Sequence, residues 1–412
     1  MSKLDALIAE LCPDGVEIKK LRDVATVSRG GSFQKKDYVE VGFPCIHYGQ
    51  IYTLYGLFVD QTANFISEEQ AEKQKKAVTG DIIMAVTSEN IEDVCKCIAW
   101  LGDTEVAVSG HAAIIHHTLN PKYLVYFLHS SRFTEQKTKL AHGTKVIEVR
   151  PDDLLDINIP VPPIEVQSEI VQILDNFTEL TAELTAELTA RKKQYEYYRG
   201  ELLSFDSSIP KKKLGETCDM KAGKAIASEF ISSVETPDRP IKCYGGNGIR
   251  GYVNEANHHG EFPLIGRQGA LCGNVNYATG DFYATEHAVV VTSKGDYTQR
   301  FLYHLLTHMD LNQYKSAGAQ PGLSVKNLLE IPAPVPALVV QKRIVDVLDN
   351  FEAICSDLNI GLPAEIEARQ KQYEFYRDQL LTFIATGNTI LTDRQTDRQT
   401  DRQTDRQTDR AD

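Results

Sequence analysis

The sequence offers no route into a membrane and no sign of export. No apolar run approaches the roughly 20 residues that span a bilayer, and Met1-Ser2-Lys3-Leu4-Asp5 lacks the apolar core and cleavage site of a secretory signal, so a cytoplasmic location without membrane contact is expected. Paired cysteines are missing too. The eight cysteines are scattered, and the closest two, Cys95 and Cys97, have one residue between them, too few for the C-x-x-C spacing of zinc or redox sites. No metal ligand is assigned, and in a reducing compartment these are expected to be small buried side chains. There is no excess of positive charge: 44 Lys and Arg face 57 Asp and Glu, a net charge of −13. That argues against indiscriminate nucleic-acid binding, which needs Lys and Arg against phosphates. Basic residues do cluster at Lys19-Lys20-Arg22, Lys35-Lys36, Lys73-Lys75-Lys76 and Lys211-Lys212-Lys213, each taken alone as a solvated face.

What the sequence has is a long internal repeat. Beginning at Gln167 come Ile170, Leu174, Asp175, Asn176 and Phe177, then Thr181-Ala182-Glu183-Leu184-Thr185-Ala186-Glu187-Leu188, and then Arg191-Lys192-Lys193-Gln194-Tyr195-Glu196-Tyr197-Tyr198-Arg199. A second copy begins at Gln341, with Ile344, Leu348, Asp349, Asn350 and Phe351, followed by Arg369-Gln370-Lys371-Gln372-Tyr373-Glu374-Phe375-Tyr376-Arg377. The segments leading into them match as well, Leu154-Leu155-Asp156-Ile157 through Pro162 against Leu328-Leu329-Glu330-Ile331 through Pro336, at a constant offset of 174 residues. The repeating unit is therefore a globular domain followed by a helix, used twice. At 412 residues, 42% hydrophobic and 25% charged, the chain can supply two or three real cores.

The stripe Ile170, Ile173, Leu174, Phe177, Leu180, Leu184, Leu188, Tyr195, Tyr198 and Leu202, at steps of three and four, predicts one long helix burying a face against another helix. In the second copy Gly361-Leu362-Pro363 interrupts the match, and proline there predicts that one helical segment ends and another begins. Short β-prone runs such as Asp81–Val86, Glu105–Val108 and Ala288–Val291 alternate with glycine turns, and helices are expected at Pro121–Leu128 and Gln299–Leu306. The expected fold class is α+β: two globular domains with mostly antiparallel sheets, separated by two long antiparallel helices that form a coiled coil with a pseudo-twofold repeat. The expected boundaries are residues 1–163 for the first domain, 164–205 for the central helix, 206–336 for the second domain, 337–386 for the C-terminal helical spacer and 387–412 for a tail of Thr-Asp-Arg-Gln repeats. Without apolar residues to bury, the tail is expected to be disordered.

A helix of about 40 residues spans up to about 60 Å. If the second helix runs back beside the first, the two domains are held apart and inverted, which suits a bipartite target on duplex DNA. One Thr-Ala-Glu-Leu unit adds about 6 Å and about 40° beyond a full turn. A base-pair step advances about 3.4 Å and turns about 35°. The repeat is therefore expected to set the gap between half-sites, unless the helices are a generic linker.

With the two Gln-x-x-Ile-x-x-x-Leu-Asp-Asn-Phe helices, the Thr-Ala-Glu-Leu spacer, Pro44-Cys45-Ile46-His47-Tyr48-Gly49-Gln50, Gly266-Arg267-Gln268-Gly269-Ala270 and Ala284-Thr285-Glu286-His287-Ala288-Val289 in view, the chain resembles the DNA specificity subunit of type I restriction–modification systems over about residues 15 to 385. The resemblance implies that each globular domain is a target-recognition domain for one half of a split sequence on double-stranded DNA. It implies further that two modification subunits bind the helices and methylate adenine with S-adenosylmethionine. Restriction subunits would bring translocation and cleavage with ATP and Mg2+, with no cofactor and no catalytic residue in this chain. No Asn-Pro-Pro-Tyr or Asp-Pro-Pro-Tyr signature appears, and Gly223-Lys224-Ala225 falls short of a P-loop.

Base-edge contacts call for Arg, Lys, Asn or Gln on glycine-flanked loops. The candidates are Arg267, Gln268, Asn247 and Arg250 in the second domain, and Lys35, Tyr48, Gln50, Ser88 and Asn90 in the first, each weighed against an ordinary turn. His111 and His287, beside alanine-rich strands, are read as packed residues. On the helices, Leu174, Phe177, Leu184, Leu188, Tyr195, Tyr198, Leu348, Phe351, Tyr373 and Tyr376 read first as the core of the helix pair, and the resemblance makes them the partner-binding stretch. Lys192, Lys193 and Lys371 lie on the polar side, where DNA phosphate, an acidic partner or solvent can meet them. Two other classes remain open: a stand-alone enzyme, such as a nuclease or hydrolase using Ser109 and His111, and a coiled-coil scaffold without DNA. Finally, Thr-Asp-Arg-Gln can be encoded as three copies of ACAG, a tract whose length is expected to vary by slippage.

Overall fold

The computed structural model describes residues 2–269, 271–316 and 321–386. The repeat tail and Ala270 lie outside the described residues. The chain packs as two compact units, Met1–Glu183 together with the chain from Glu367, and Leu184–Ile366. Each helix expected as a separate spacer is thus shared, its halves belonging to different units. Among the described residues no helix is long and apolar enough to cross a membrane.

The first unit holds two five-stranded sheets. In one, the order is Ala25–Arg29, Ala112–His117, Ile82–Ala85, Cys97–Trp100 and Phe58–Val59, antiparallel except for the last pair. In the other it is Tyr38–Val39, Asn64–Ile66, Phe43–Ile46, Val106–Val108 and Lys76–Ala77, with Val106–Val108 parallel to Phe43–Ile46. The run Ile82–Ala85 is buried on both faces, and Trp100, Val106 and Ile114 fill the space beside it. The second unit repeats the plan with four strands per sheet: Cys218–Ala222, Ala288–Ser293, Phe262–Gly266, Val275–Ala278, and then Gly248–Val253, Ile241–Gly245, Asp281–Ala284, His258–His259. Here too one pair is parallel, Ile241–Gly245 with Asp281–Ala284.

The proline-rich exits form two-stranded antiparallel ladders, Asn158–Pro160 with Ile18–Lys20 and Pro332–Pro334 with Lys211–Lys213. Proline is tolerated there because only one side of the strand must pair. The helix Ile164–Leu203 then runs unbroken for 40 residues. Its counterpart is broken where the proline predicts, into Leu338–Ser356 and Leu362–Thr386. At the break Gly361 lies so close to the preceding turn that a Cβ would sit 2.6 Å from the carbonyl oxygens of Ala353 and Asp357. The helices at Pro121–Leu128 and Gln299–His308 form as expected, each started by a capping side chain, Asn120 and Thr298. All eight cysteines are buried and free.

Within each unit the domain is fastened to its long helix by the same set of contacts. Gln167 accepts the Asn120 N–H at 2.8 Å and donates to the Pro162 carbonyl at 2.8 Å. Gln341 accepts the Thr298 N–H at 2.9 Å and donates to Asp296 and Pro336 at 2.8 and 2.9 Å. One turn further on, Ile170 and Leu174, or Ile344 and Leu348, enter the core. Asp175 then receives Lys122 Nζ at 2.6 Å and the Tyr126 hydroxyl at 2.6 Å. Asp349 receives Arg300 Nε at 2.8 Å and lies 2.7 Å from His304 Nε2. The repeated Gln-x-x-Ile-x-x-x-Leu-Asp motif is therefore a docking strip for the domain's own helix.

Candidate nucleic-acid interface

In each unit, three strand ends and the turns that leave them converge at one edge. In the first unit the strand Ile82–Ala85 continues through Val86, whose N–H bonds the His111 carbonyl and whose carbonyl accepts from Val149. In the second, Phe262–Gly266 continues through Arg267, whose N–H bonds the His287 carbonyl and whose carbonyl accepts from Leu323. The Ser109 N–H bonds the Ile46 carbonyl, and the Thr285 N–H bonds the Tyr244 carbonyl. These shared ladders make Thr87 equivalent to Gln268, Ser88 to Gly269, His111 to His287 and Tyr48 to Gly246.

The first edge carries an aromatic cluster. The Tyr48 ring lies between His47, at 4.6 Å, and His111, at 4.9 Å. His111 Nδ1 is 3.2 Å from Thr87 Oγ1, and Arg29 fastens the loop by donating to the Gly110 carbonyl at 2.8 Å and pairing with Glu148 at 2.9 Å. Burial, then the neighbouring Lys35 charge and His111, hold His47 below the usual imidazole range. Its Nδ1 accepts the Gly49 N–H at 3.2 Å, which leaves the other ring nitrogen to carry the proton.

The second edge is open where the first is filled. The strands Ile241–Gly245 and Gly248–Val253 are joined by the two-residue tip Gly246-Asn247. That tip crosses so close to Gly266 that a Cβ there would fall 1.8 Å from the Gly246 carbonyl oxygen, so only glycine fits. A cavity of about 510 Å³ remains, lined by Gly246, Asn247, Gln268, His287, Pro321 and Gly322 among others. His287 Nε2 is 3.1 Å from Glu286 Oε1, while its Nδ1, Arg267 Nε and Glu286 Oε2 are buried without a hydrogen-bond partner among the described residues.

The structure brings Lys35, Tyr48 and Ser88 to the first edge, and Asn247, Arg267 and Gln268 to the second. Lys35 is exposed, and among the described residues neither it nor Lys36 forms an ion pair, whereas Lys19, Lys20, Arg22, Lys73, Lys76, Lys212 and Lys213 are all paired with carboxylates. Gln50 departs from expectation. It is buried, its Oε1 accepts the His47 N–H at 2.8 Å and its Nε2 donates to Asn64 at 2.7 Å, so its amide is spent on capping the helix Tyr48–Thr53. Asn90 is exposed but closes its own turn, exchanging bonds with Asp93 at 2.9 and 2.7 Å. Arg250 is exposed and reaches Ser228 Oγ at 2.9 Å. His111, read from the sequence as packed, is exposed, and His287 is only partly covered. Ser109 Oγ is buried and accepts the Tyr48 N–H at 2.8 Å, so Ser109 and His111 form no nucleophile–base pair.

On the helices, Leu174, Leu348 and Tyr373 are buried in the chain's own cores. Phe177 stacks on Tyr376 at 5.3 Å in the first unit, and Tyr198 on Phe351 at 5.5 Å in the second, where Tyr195 also approaches Phe351 at 6.5 Å. Leu184 and Leu188 are half-buried, Tyr198 is 39% exposed, and Lys192 and Lys193 point to solvent. In the second unit Arg191 and Lys192 lie beside Cys355 while Tyr198 meets Phe351, so the two helices run antiparallel there. His304, Asp349 and Glu352 come within metal-binding distance of one another. Arg300 already bridges the two carboxylates at 2.8 and 2.5 Å, so the positive charge a metal would bring is in place.

A family model for the type I restriction modification DNA specificity domain matches residues 13–191 and again 208–368. The chain is 50% identical over 206 residues to the Escherichia coli EcoprrI specificity subunit, covering 48% of this chain and 51% of that one, about half its length. It is 34% identical over 291 residues to the EcoR124I/EcoR124II specificity subunit of the same species, covering 64% and 70%. Among solved structures, the S subunit of a type I system from M. genitalium superposes with a TM-score of 0.55 at 17% identity, over 89% of this chain and 96% of that one. A chain from a study of type I complex assembly and conformational transition gives 0.61 at 18%, over 90% and 98%. These two likenesses establish the fold.

Proposed function

Because the chain belongs to the family of type I restriction–modification DNA specificity proteins, we propose that it is the DNA-reading subunit of such a complex. Each recognition domain reads one half of a bipartite duplex target, and methylation and restriction are carried out by other chains. The observation that carries this reading is the duplicated edge: two domains present, at equivalent backbone positions, loops with different side chains, Tyr48 and Thr87 against Gly246 and Gln268, beside a histidine common to both, His111 and His287. One scaffold with two sets of side chains is what reading two different half-sites requires. The partners are double-stranded DNA, two modification subunits that bring S-adenosylmethionine and methylate adenine, and restriction subunits that bring ATP and Mg2+. The complex acts on DNA in the cytoplasm.

The reading is tested by mapping adenine methylation across the host genome with this gene deleted and restored. A bipartite methylated motif should vanish and return with the gene. Turnover of DNA by the purified chain alone, or a methylation pattern indifferent to the gene, refutes it.

A further inference from the structure

Where the first domain places the Tyr48 ring against His111, the second has Gly246, and the space opens as the cavity beside His287. Gln268 is exposed on its wall, and among the described residues its side-chain amide has no hydrogen-bond partner in the domain. Gln268 belongs to no helix cap and sits where a strand leaves the sheet, bridged to Gly322 through backbone only. An unspent glutamine amide offers a donor and an acceptor side by side, the pair that the N7 and N6 edge of adenine takes in the major groove. His287 stands over the same opening, with Glu286 at its Nε2 fixing the ring.

On this basis, and resting on the DNA-reading function above, we propose that His287 and Gln268 together read one base pair of the second domain's half-site, and that His111, at the equivalent position, does so for the first domain's half-site. Gln268 supplies the bidentate edge, and His287 forms the wall that positions the base pair against it. His111 has no such opening, because Tyr48 fills it, and presents its exposed ring directly. Thr87, the counterpart of Gln268, is buried and tied to His111 Nδ1, so in the first domain the imidazole itself is the readable group.

The test begins with the motif mapped for the wild-type gene. Binding of the purified full chain, with its host's modification subunits, is measured on a duplex bearing that motif and on duplexes each carrying one changed base pair. The wild type should discriminate against changes by about 10-fold or more per position. His287→Ala and Gln268→Ala should each lose discrimination at the same single base pair of one half-site, and His111→Ala at a base pair of the other half, with all remaining positions unaffected. Gly246→Ser, which narrows the cavity, should affect the same position as Gln268→Ala. Melting curves accompany each variant, and His287→Asn replaces His287→Ala if the latter fails to fold. Unchanged discrimination at every position, or equal weakening on all duplexes, overturns the inference while the DNA-reading function stands. A wild-type chain that shows no sequence preference overturns both.

Discussion

Replacing Gln341 by alanine should uncouple the second recognition domain from its helix. The side chain is fully buried, and its three hydrogen bonds hold the Thr298 N–H at 2.9 Å and the Asp296 and Pro336 carbonyls at 2.8 and 2.9 Å. Alanine leaves one backbone donor and two acceptors without a protein partner. At about 1–3 kcal/mol for each buried group left unsatisfied, partly relieved by water entering the vacated space, the loss should be about 2–4 kcal/mol. Gln167→Ala, at the matching position, removes two such bonds and should destabilise the first unit by somewhat less. The chain's single tryptophan separates the two effects. Trp100 is buried in the first unit, so its fluorescence reports that unit's unfolding alone, while circular dichroism follows both. In urea titrations Gln167→Ala should move the fluorescence midpoint, and Gln341→Ala should move only the later or earlier part of the dichroism curve. If Gln341→Ala changes stability by less than about 0.5 kcal/mol, the range of an ordinary surface substitution, or shifts Trp100 as much as Gln167→Ala does, the docking role is wrong.

Two further outcomes can be checked. Burial in the first unit, and the positive charges of Arg377, Lys137 and Lys96, push His129 down to about 4, with its Nε2 3.0 Å from the Cys97 carbonyl. A histidine that titrates near 6.5 when unfolded and lower when folded contributes stability above about pH 6.5 that is lost as pH falls toward 4, so Trp100-monitored stability should drop by on the order of 2 kcal/mol across that window, and His129→Asn should flatten the dependence. Deleting Thr185 to Leu188 removes one turn, about 6 Å, from the unbroken helix Ile164–Leu203. The half-sites in a methylation map should stay the same while the permitted gap shifts by about one base pair, and an unchanged gap would show that the helix is only a linker.

Periodicity made the helices and the buried strands legible: Pro121–Leu128, the unbroken Ile164–Leu203 and the break at Gly361 all follow from side-chain spacing and proline chemistry. The parallel pairing of Phe43–Ile46 with Val106–Val108 did not follow, because partners so far apart in sequence leave no local mark. Gln50 is held inside its own domain for a physical reason. A glutamine three residues after His47 completes a capping box, and that local pattern, rather than the neighbouring glycine, decides where its amide goes. Their place beside alanine-rich strands makes His111 and His287 read as packed residues. The usable signal lay in the repeat, where Ser109-Gly110-His111-Ala112 and Thr285-Glu286-His287-Ala288 occupy the same ladder.

The two copies carry different side chains at the proposed DNA-reading edge and keep the same motif where the domain meets its helix, and the contacts explain why. The docking strip has fixed demands: an amide must reach a helix cap and a proline carbonyl at once, and a carboxylate must sit opposite the domain helix. Within those demands the partners can change, Lys122 and Tyr126 on Asp175 in one copy, Arg300 and His304 on Asp349 in the other, with Glu352 joining where Thr178 stands in the first. Beyond these partners Lys122 and Tyr126 touch Phe58, and Arg300 touches Tyr277, rather than the loops of the edge. At that edge the backbone ladders hold Val86 and Arg267, or His111 and His287, in equivalent places through main-chain bonds that do not depend on side-chain identity. A residue there can be exchanged without loosening the domain from its helix. The fold therefore separates what must stay constant for assembly from what is free to vary with the sequence read.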